Sequence, residues 1–148
     1  MRPPHAHNAL SRTAACRFFL NRADFDQELR LYRHPVLSQA LPPLVAACDN
    51  AHGAVRSAAG GGAVLPPHLV LERGVTLRQW AAEAPRGFGE VYTMMESLAK
   101  LLKTLHDNGI VHRDVKPGNT LYLVNSAQWR LLDVGIAAPI GAPPASLV

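Results

Sequence analysis

Residues 109–135 read GIVHRDVKPGNTLYLVNSAQWRLLDVG, and the order of side chains in this stretch decides the fold. Asp114 can accept a hydrogen bond from a hydroxyl and take its proton. Lys116, two residues on, brings a cation beside it. Asn119 offers a neutral amide oxygen and Asp133 a carboxylate, both hard oxygen ligands of the kind Mg²⁺ prefers. Residues 121–124 and 130–132 read as two short strands, with Asn125-Ser126-Ala127-Gln128 as a hairpin connection. Such a hairpin returns Asp133 towards Asn119. Pro117 stiffens its loop by fixing φ. Gly135 permits a turn that a larger residue resists. A group to orient a hydroxyl, a cation and two metal-type oxygens are the parts that phosphoryl transfer requires. The plain alternative is a basic turn followed by an ordinary hairpin.

The series His112-Arg113-Asp114, Lys116-Pro117, Asn119 and Asp133-Val134-Gly135 resembles the catalytic loop and metal-binding turn of eukaryotic protein kinases. The resemblance covers residues 13–137 and is specific over 110–135. It implies an α+β, kinase-like two-lobe fold, here incomplete. Residues 1–12 would be a flexible leader and 13–148 a partial kinase domain. Within it, 13–71 would be part of the small antiparallel lobe, 72–75 the hinge, and 76–148 the start of the helical large lobe. The implied chemistry uses ATP and Mg²⁺, with Asp114 as base, Lys116 assisting the phosphate, and Asn119 and Asp133 holding metal. Lys116 two places after Asp114 resembles the serine/threonine branch, which implies a protein substrate with Ser or Thr. Arg17 matches the strand lysine that holds nucleotide phosphates, and Glu28 the helix glutamate paired with it. Glu72, Arg73 and Gly74 would offer hinge backbone to adenine, with Leu71 as gatekeeper.

The sequence departs from the kinase pattern at several points. Arg17 stands where the family has lysine, and a guanidinium fork is not equivalent to a point charge. Val134 stands where the family usually has Phe. No Gly-rich phosphate loop precedes the first strand, and no full activation segment or large-lobe helical core follows Val134. The expectation is a fragment or truncated relative, with apolar surface on its long helix that a protein partner would cover. Two other functions fit parts of the pattern. One is a catalytically inactive, pseudokinase-like interaction module, favoured by Arg17 and the early C-terminus. The other is a small-molecule kinase, against which Lys116-Pro117 argues.

The remaining elements follow from local pattern. Residues 13–20 read as a strand, with an outward arginine on an edge strand as the other account of Arg17. Residues 24–32 read as a helix capped by Asp24, with Gln27 in capping-box spacing and Phe25, Leu29 and Tyr32 as its apolar stripe. Residues 41–47 suggest a strand, 49–63 a Gly/Ala-rich surface loop, and 67–74 a strand running into the hinge. Residues 76–83 read as a short helix, and 90–108 as the longest one. Val91, Met94, Met95, Leu98, Leu101, Leu102 and Leu105 recur along it at helical spacing.

Composition sets the outer bounds. A chain of 148 residues, 48% apolar and 18% charged, is one globular domain's worth of sequence. No apolar run of about 18 residues predicts a membrane span. The net charge of +4 suits nucleotide phosphates, and no basic stripe interleaved with aromatics points to nucleic acid. Cys16 and Cys48 form no metal-type pair or disulfide framework. An intracellular, cytoplasmic protein is expected. Arg2, Arg12, Arg17 and Arg22 all precede the first acidic residue, Asp24, which also resembles an organelle transit segment. His5 and His7 in the leader would be solvated rather than metal-binding.

Overall fold

The structure is a computed structural model that describes residues 14–49 and 64–143. The leader with His5 and His7, and most of the Gly/Ala-rich loop, lie outside the described residues. Three strands form one antiparallel sheet: β1 (Ala14–Phe18), β2 (Leu44–Cys48) and β3 (His68–Glu72), with β3 in the centre. The central position explains the composition of β3, whose His68, Leu69 and Leu71 are buried.

Helix α1 (Arg22–Arg33) follows β1. Its cap is Asn21, not Asp24. The Asn21 side chain accepts the Asp24 N–H at 2.9 Å, so Asp24 lies inside the first turn. Gln27, placed to complete a capping box, instead donates across the molecule to the Gly135 carbonyl at 3.3 Å. Phe25, Glu28, Leu29 and Tyr32 recur at three- and four-residue steps and form the buried face. The helix stops at His34, whose backbone is extended because Pro35 follows. A 3₁₀ turn (Leu37–Ala40) then leads into β2.

Strand β4 (Val75–Thr76) pairs with β6 (Thr120–Leu123), and β6 with β7 (Gln128–Leu131). The β6–β7 hairpin matches the expected strand pair, with its turn at 124–127 rather than 125–128. Helix α2 (Leu77–Glu83) starts at a capping box in which Thr76 Oγ1 accepts the Gln79 N–H at 3.2 Å and Gln79 accepts the Thr76 N–H at 3.0 Å. Trp80 of α2 meets Trp129 of β7 edge to face at 5.5 Å. The long helix α3 (Phe88–Asp107) ends at Gly109, whose φ of +76° suits glycine. An unforeseen pair follows: β5 (Ile110–Val111) joins β8 (Ala138–Pro139).

One apolar core joins these parts. Phe25, Leu29 and Tyr32 of α1, Leu69 and Leu71 of β3, Leu105 of α3, Leu131 of β7 and Val134 belong to the same buried cluster. Leu98, Leu101 and Leu102 pack on it partly buried, whereas Val91 and Met95 of the same stripe stay exposed. The core therefore fixes the segment after β7 against α1, β3 and α3, and that places the site.

Candidate active site

The segment between β5 and β6 carries the first half of the site. Asp114 is its centre. Lys116 Nζ lies 2.6 Å from Asp114 Oδ2, and Asn119 Nδ2 donates to the same oxygen at 2.7 Å. Asn119 also donates to the Asp114 carbonyl at 3.0 Å. The Lys116 bond first, and then Asn119, holds the Asp114 carboxyl below the usual range, so it is an anion ready to accept. A 3₁₀ turn (Pro117–Asn119) brings Asn119 back onto Asp114, with Pro117 opening it.

The second half arrives by the hairpin. Leu132 N–H donates to the Asn119 carbonyl at 2.8 Å, so Asp133 starts one residue from that junction. Asp133 has φ +60° and Arg113 φ +68°, left-handed values rare outside glycine. Both strained residues flank the site, and their geometry is held by neighbours. His112, buried, receives the Asp114 N–H on Nδ1 at 3.2 Å, and its Nε2 contacts the Leu132 carbonyl at 2.9 Å. Arg113 donates to the Ala142 carbonyl at 2.6 Å.

Strand β1 and helix α1 add a third group. Arg17 Nε lies 2.9 and 3.0 Å from the two Glu28 carboxylate oxygens, and Nη2 lies 2.7 Å from Asp133 Oδ1. Glu28 is fully buried, and burial pushes its carboxyl up to about 7 against the pull of Arg17. Gly135 closes this cluster. A Cβ there would sit 3.3 Å from Arg17 Nη2 and 3.5 Å from Glu28 Oε2.

The expected residues therefore converge in two groups, Asp114-Lys116-Asn119 and Arg17-Glu28-Asp133, joined through Leu132. Glu72 and Gly74 stand apart, and no hydrogen bond links either to Asp114 or Asp133 among the described residues. Glu72 N–H is spent on the Pro43 carbonyl at 2.9 Å. His112 carries a positioning role that its place in the motif alone does not reveal. Nor does Gln27 betray locally that it reaches Gly135.

Comparison with known proteins decides the family. The protein kinase domain family model matches residues 70–146, just over half of the chain. The chain belongs to the protein kinase family. Its fold is an incomplete, kinase-like α+β fold. Named relatives include the human cell division cycle 7-related protein kinase, 50% identical over 50 residues, 34% of this chain and 9% of that protein. The serine/threonine-protein kinase pkn2 of Myxococcus xanthus is 39% identical over 85 residues, 54% of this chain and 10% of that protein. The serine/threonine-protein kinase PknA of Mycobacterium tuberculosis is 43% identical over 51 residues, 34% of this chain and 12% of that protein. This kinase chain thus aligns with only about a tenth of the length of these relatives. Kinases of this family generally use ATP and Mg²⁺.

The oxygens of Asn119 and Asp133 suit that cation. Among the described residues no three His, Cys, Asp or Glu side chains gather into a metal cage. Asn119 and Asp133 supply only hard oxygens, and Mg²⁺ is commonly held by one or two protein oxygens plus phosphate and water. Among the described residues no helix is long and apolar enough to cross a membrane.

Proposed function

We propose that this chain carries the catalytic-loop portion of a serine/threonine protein kinase, moving the terminal phosphoryl group of ATP to a protein hydroxyl. The observation that supports it most is the convergence of Lys116 and Asn119 on one oxygen of Asp114. In this reading Asp114 takes the proton of the acceptor hydroxyl. The acceptor oxygen bonds to the γ-phosphorus, the bond to the β–γ bridging oxygen breaks, and ADP leaves. Lys116 shifts from Asp114 towards the transferred group. Asn119 spends its amide nitrogen on Asp114, so its amide oxygen and the Asp133 carboxylate are the atoms for Mg²⁺. Bound there, the cation would supply charge neutralisation for the phosphates. Arg17, steadied by Glu28, would meet the nucleotide phosphates. Residues 72–75 would form the hinge between a small-lobe part at 13–71 and a large-lobe part from 76 onward. Backbone groups of Glu72, Arg73 and Gly74 would meet adenine there. An intracellular setting follows from a dependence on ATP.

A second reading has one observation in its favour. Arg17 replaces the lysine expected on this strand and is held by two carboxylates at once. A pseudokinase-like interaction module would keep this arrangement without turnover. The deciding assay incubates the chain with Mg²⁺ and γ-labelled ATP, a generic protein substrate and, separately, choline or an aminoglycoside. Label on serine or threonine that disappears in Asp114→Asn supports the kinase. Label on the small molecule instead would shift the substrate class. Nucleotide binding with no label transfer would favour the interaction module.

A further inference from the structure

We infer that Arg17 is a resident counter-ion of Asp133, which a divalent cation must displace before it can use that carboxylate; this rests on Asp133 being the metal ligand of the proposed kinase. The guanidinium spends different nitrogens on its two partners. Nε faces Glu28 and Nη2 faces Asp133 Oδ1 at 2.7 Å, across 116 residues of sequence. A planar fork can satisfy both carboxylates together, whereas a lysine would have one nitrogen to share between them.

Neither partner is free to drift. Glu28 is fully buried on α1, and Arg17 Nε lies within 3.0 Å of both its carboxylate oxygens. Arg17 is therefore the group that offsets its charge. Asp133 is fixed by its left-handed backbone and by the Leu132 bond to Asn119. Gly135 lies against the guanidinium so closely that a Cβ would come within 3.3 Å of Nη2. A cation on Asp133 would stand a few ångströms from this guanidinium, and two like charges in a half-buried site repel strongly. The consequence is a site in which metal alone binds poorly. Nucleotide phosphates would draw Arg17 off Asp133 and so open the carboxylate to the metal.

The test measures Mn²⁺ affinity without nucleotide, by counting free Mn²⁺ through its paramagnetic resonance. It compares the wild type, Arg17→Lys and Arg17→Gln, each with and without Asp133→Asn. The lysine variant keeps a charge for Glu28, and the glutamine variant keeps a donor, so one stands in if the other fails to fold. The expected result is binding about tenfold tighter in Arg17→Gln, the equivalent of one charge-assisted hydrogen bond. The gain is smaller in Arg17→Lys, which keeps a cation but not the fork. Both gains are lost with Asp133→Asn. Binding that needs Asp133 but is equal in all three Arg17 backgrounds would overturn the counter-ion role and leave the metal site standing. Binding indifferent to Asp133 in every background would overturn both.

Discussion

Nε2 of His112 lies 2.9 Å from the carbonyl oxygen of Leu132, and this contact ties the segment that carries Asp114 to the turn that carries Asp133. Nδ1 of the same ring already accepts the Asp114 N–H, so the ring proton sits on Nε2 and is donated to Leu132. The ring is 1% exposed, out of reach of substrate. Replacing it with alanine leaves a buried donor and a buried acceptor unpaired. His112→Ala should lower the unfolding free energy by about 2–4 kcal/mol in urea titration. Nucleotide affinity should fall with it, because Asp114 and Asp133 lose their common brace. A variant as stable as the wild type would remove His112 from this role.

Glu28 gives a pH signature of a particular sign. Its folded carboxyl is raised from 4.5 to about 7, first by burial and despite Arg17. A raised folded value means the native state holds the proton longer than the unfolded chain does. The contribution is full below about pH 4.5 and is lost as pH rises through about 7. Relative to Glu28→Gln, the wild type should lose about 3 kcal/mol across that window. His112 slopes the other way. Burial lowers its value from 6.5, so its contribution is present above that pH and falls as acid protonates it. Urea midpoints of the wild type and Glu28→Gln from pH 4 to 8 separate the two. A difference that grows in the opposite direction would show that Glu28 is folded as an anion throughout.

The site was legible where short loops decide which side chains meet. Asn119 reaches Asp114 across five residues of a tight turn, and the hairpin after it can only bring Asp133 home. Residue type and spacing carry that information. The Arg17 contact with Asp133 is different, because it depends on how β1 lies over the turn after β7. Nothing local encodes that. The cap of α1 illustrates a closer contest. Asn21 and Asp24 are both good caps, and the Asp24–Gln27 spacing suits a capping box. Gln27 turns inward to Gly135 instead, so tertiary contact overrides the local motif. Strand β8 has two residues, one of them Pro139, which leaves no alternation to read.

Gly74 has a steric duty distinct from any ligand contact. A Cβ at this position would lie 2.3 Å from the Tyr122 carbonyl oxygen and 2.8 Å from Leu121 Cγ. That carbonyl belongs to β6, which pairs with Val75 in the next step of the chain. It cannot move without breaking the β4–β6 pairing. Gly74→Ala should therefore destabilise the chain by about 2–3 kcal/mol, as overpacking does. Gly118→Ala is the control. A Cβ there meets nothing within 4 Å, and the change should stay within about 0.5 kcal/mol. Equal effects of the two substitutions in urea titration would sink the clash.

The N-terminal turns of α3 expose apolar side chains that are not part of the core. Phe88 is 87% exposed, Tyr92 61% and Met95 54%, and Phe88 stacks on Tyr92 at 6.3 Å. Beside them, Leu77, Trp80, Val91, Met94 and Pro117 line a groove of about 630 Å³ between α2, α3 and the turn at Pro117. A continuous exposed patch of this kind is sticky in water, and its removal takes nothing from the packed interior. Its charges do not offset this, because Glu83 and Glu90 are occupied with Arg86. The double change Tyr92→Lys and Met95→Lys keeps helix propensity on a solvent-facing stretch of α3. It should leave the urea midpoint within about 0.5 kcal/mol of the wild type and lower light scattering at high protein concentration. A large fall in stability would mean that these side chains pack against something, and the patch would then belong to the fold. Unchanged scattering with unchanged stability would place the association-prone surface elsewhere on the chain.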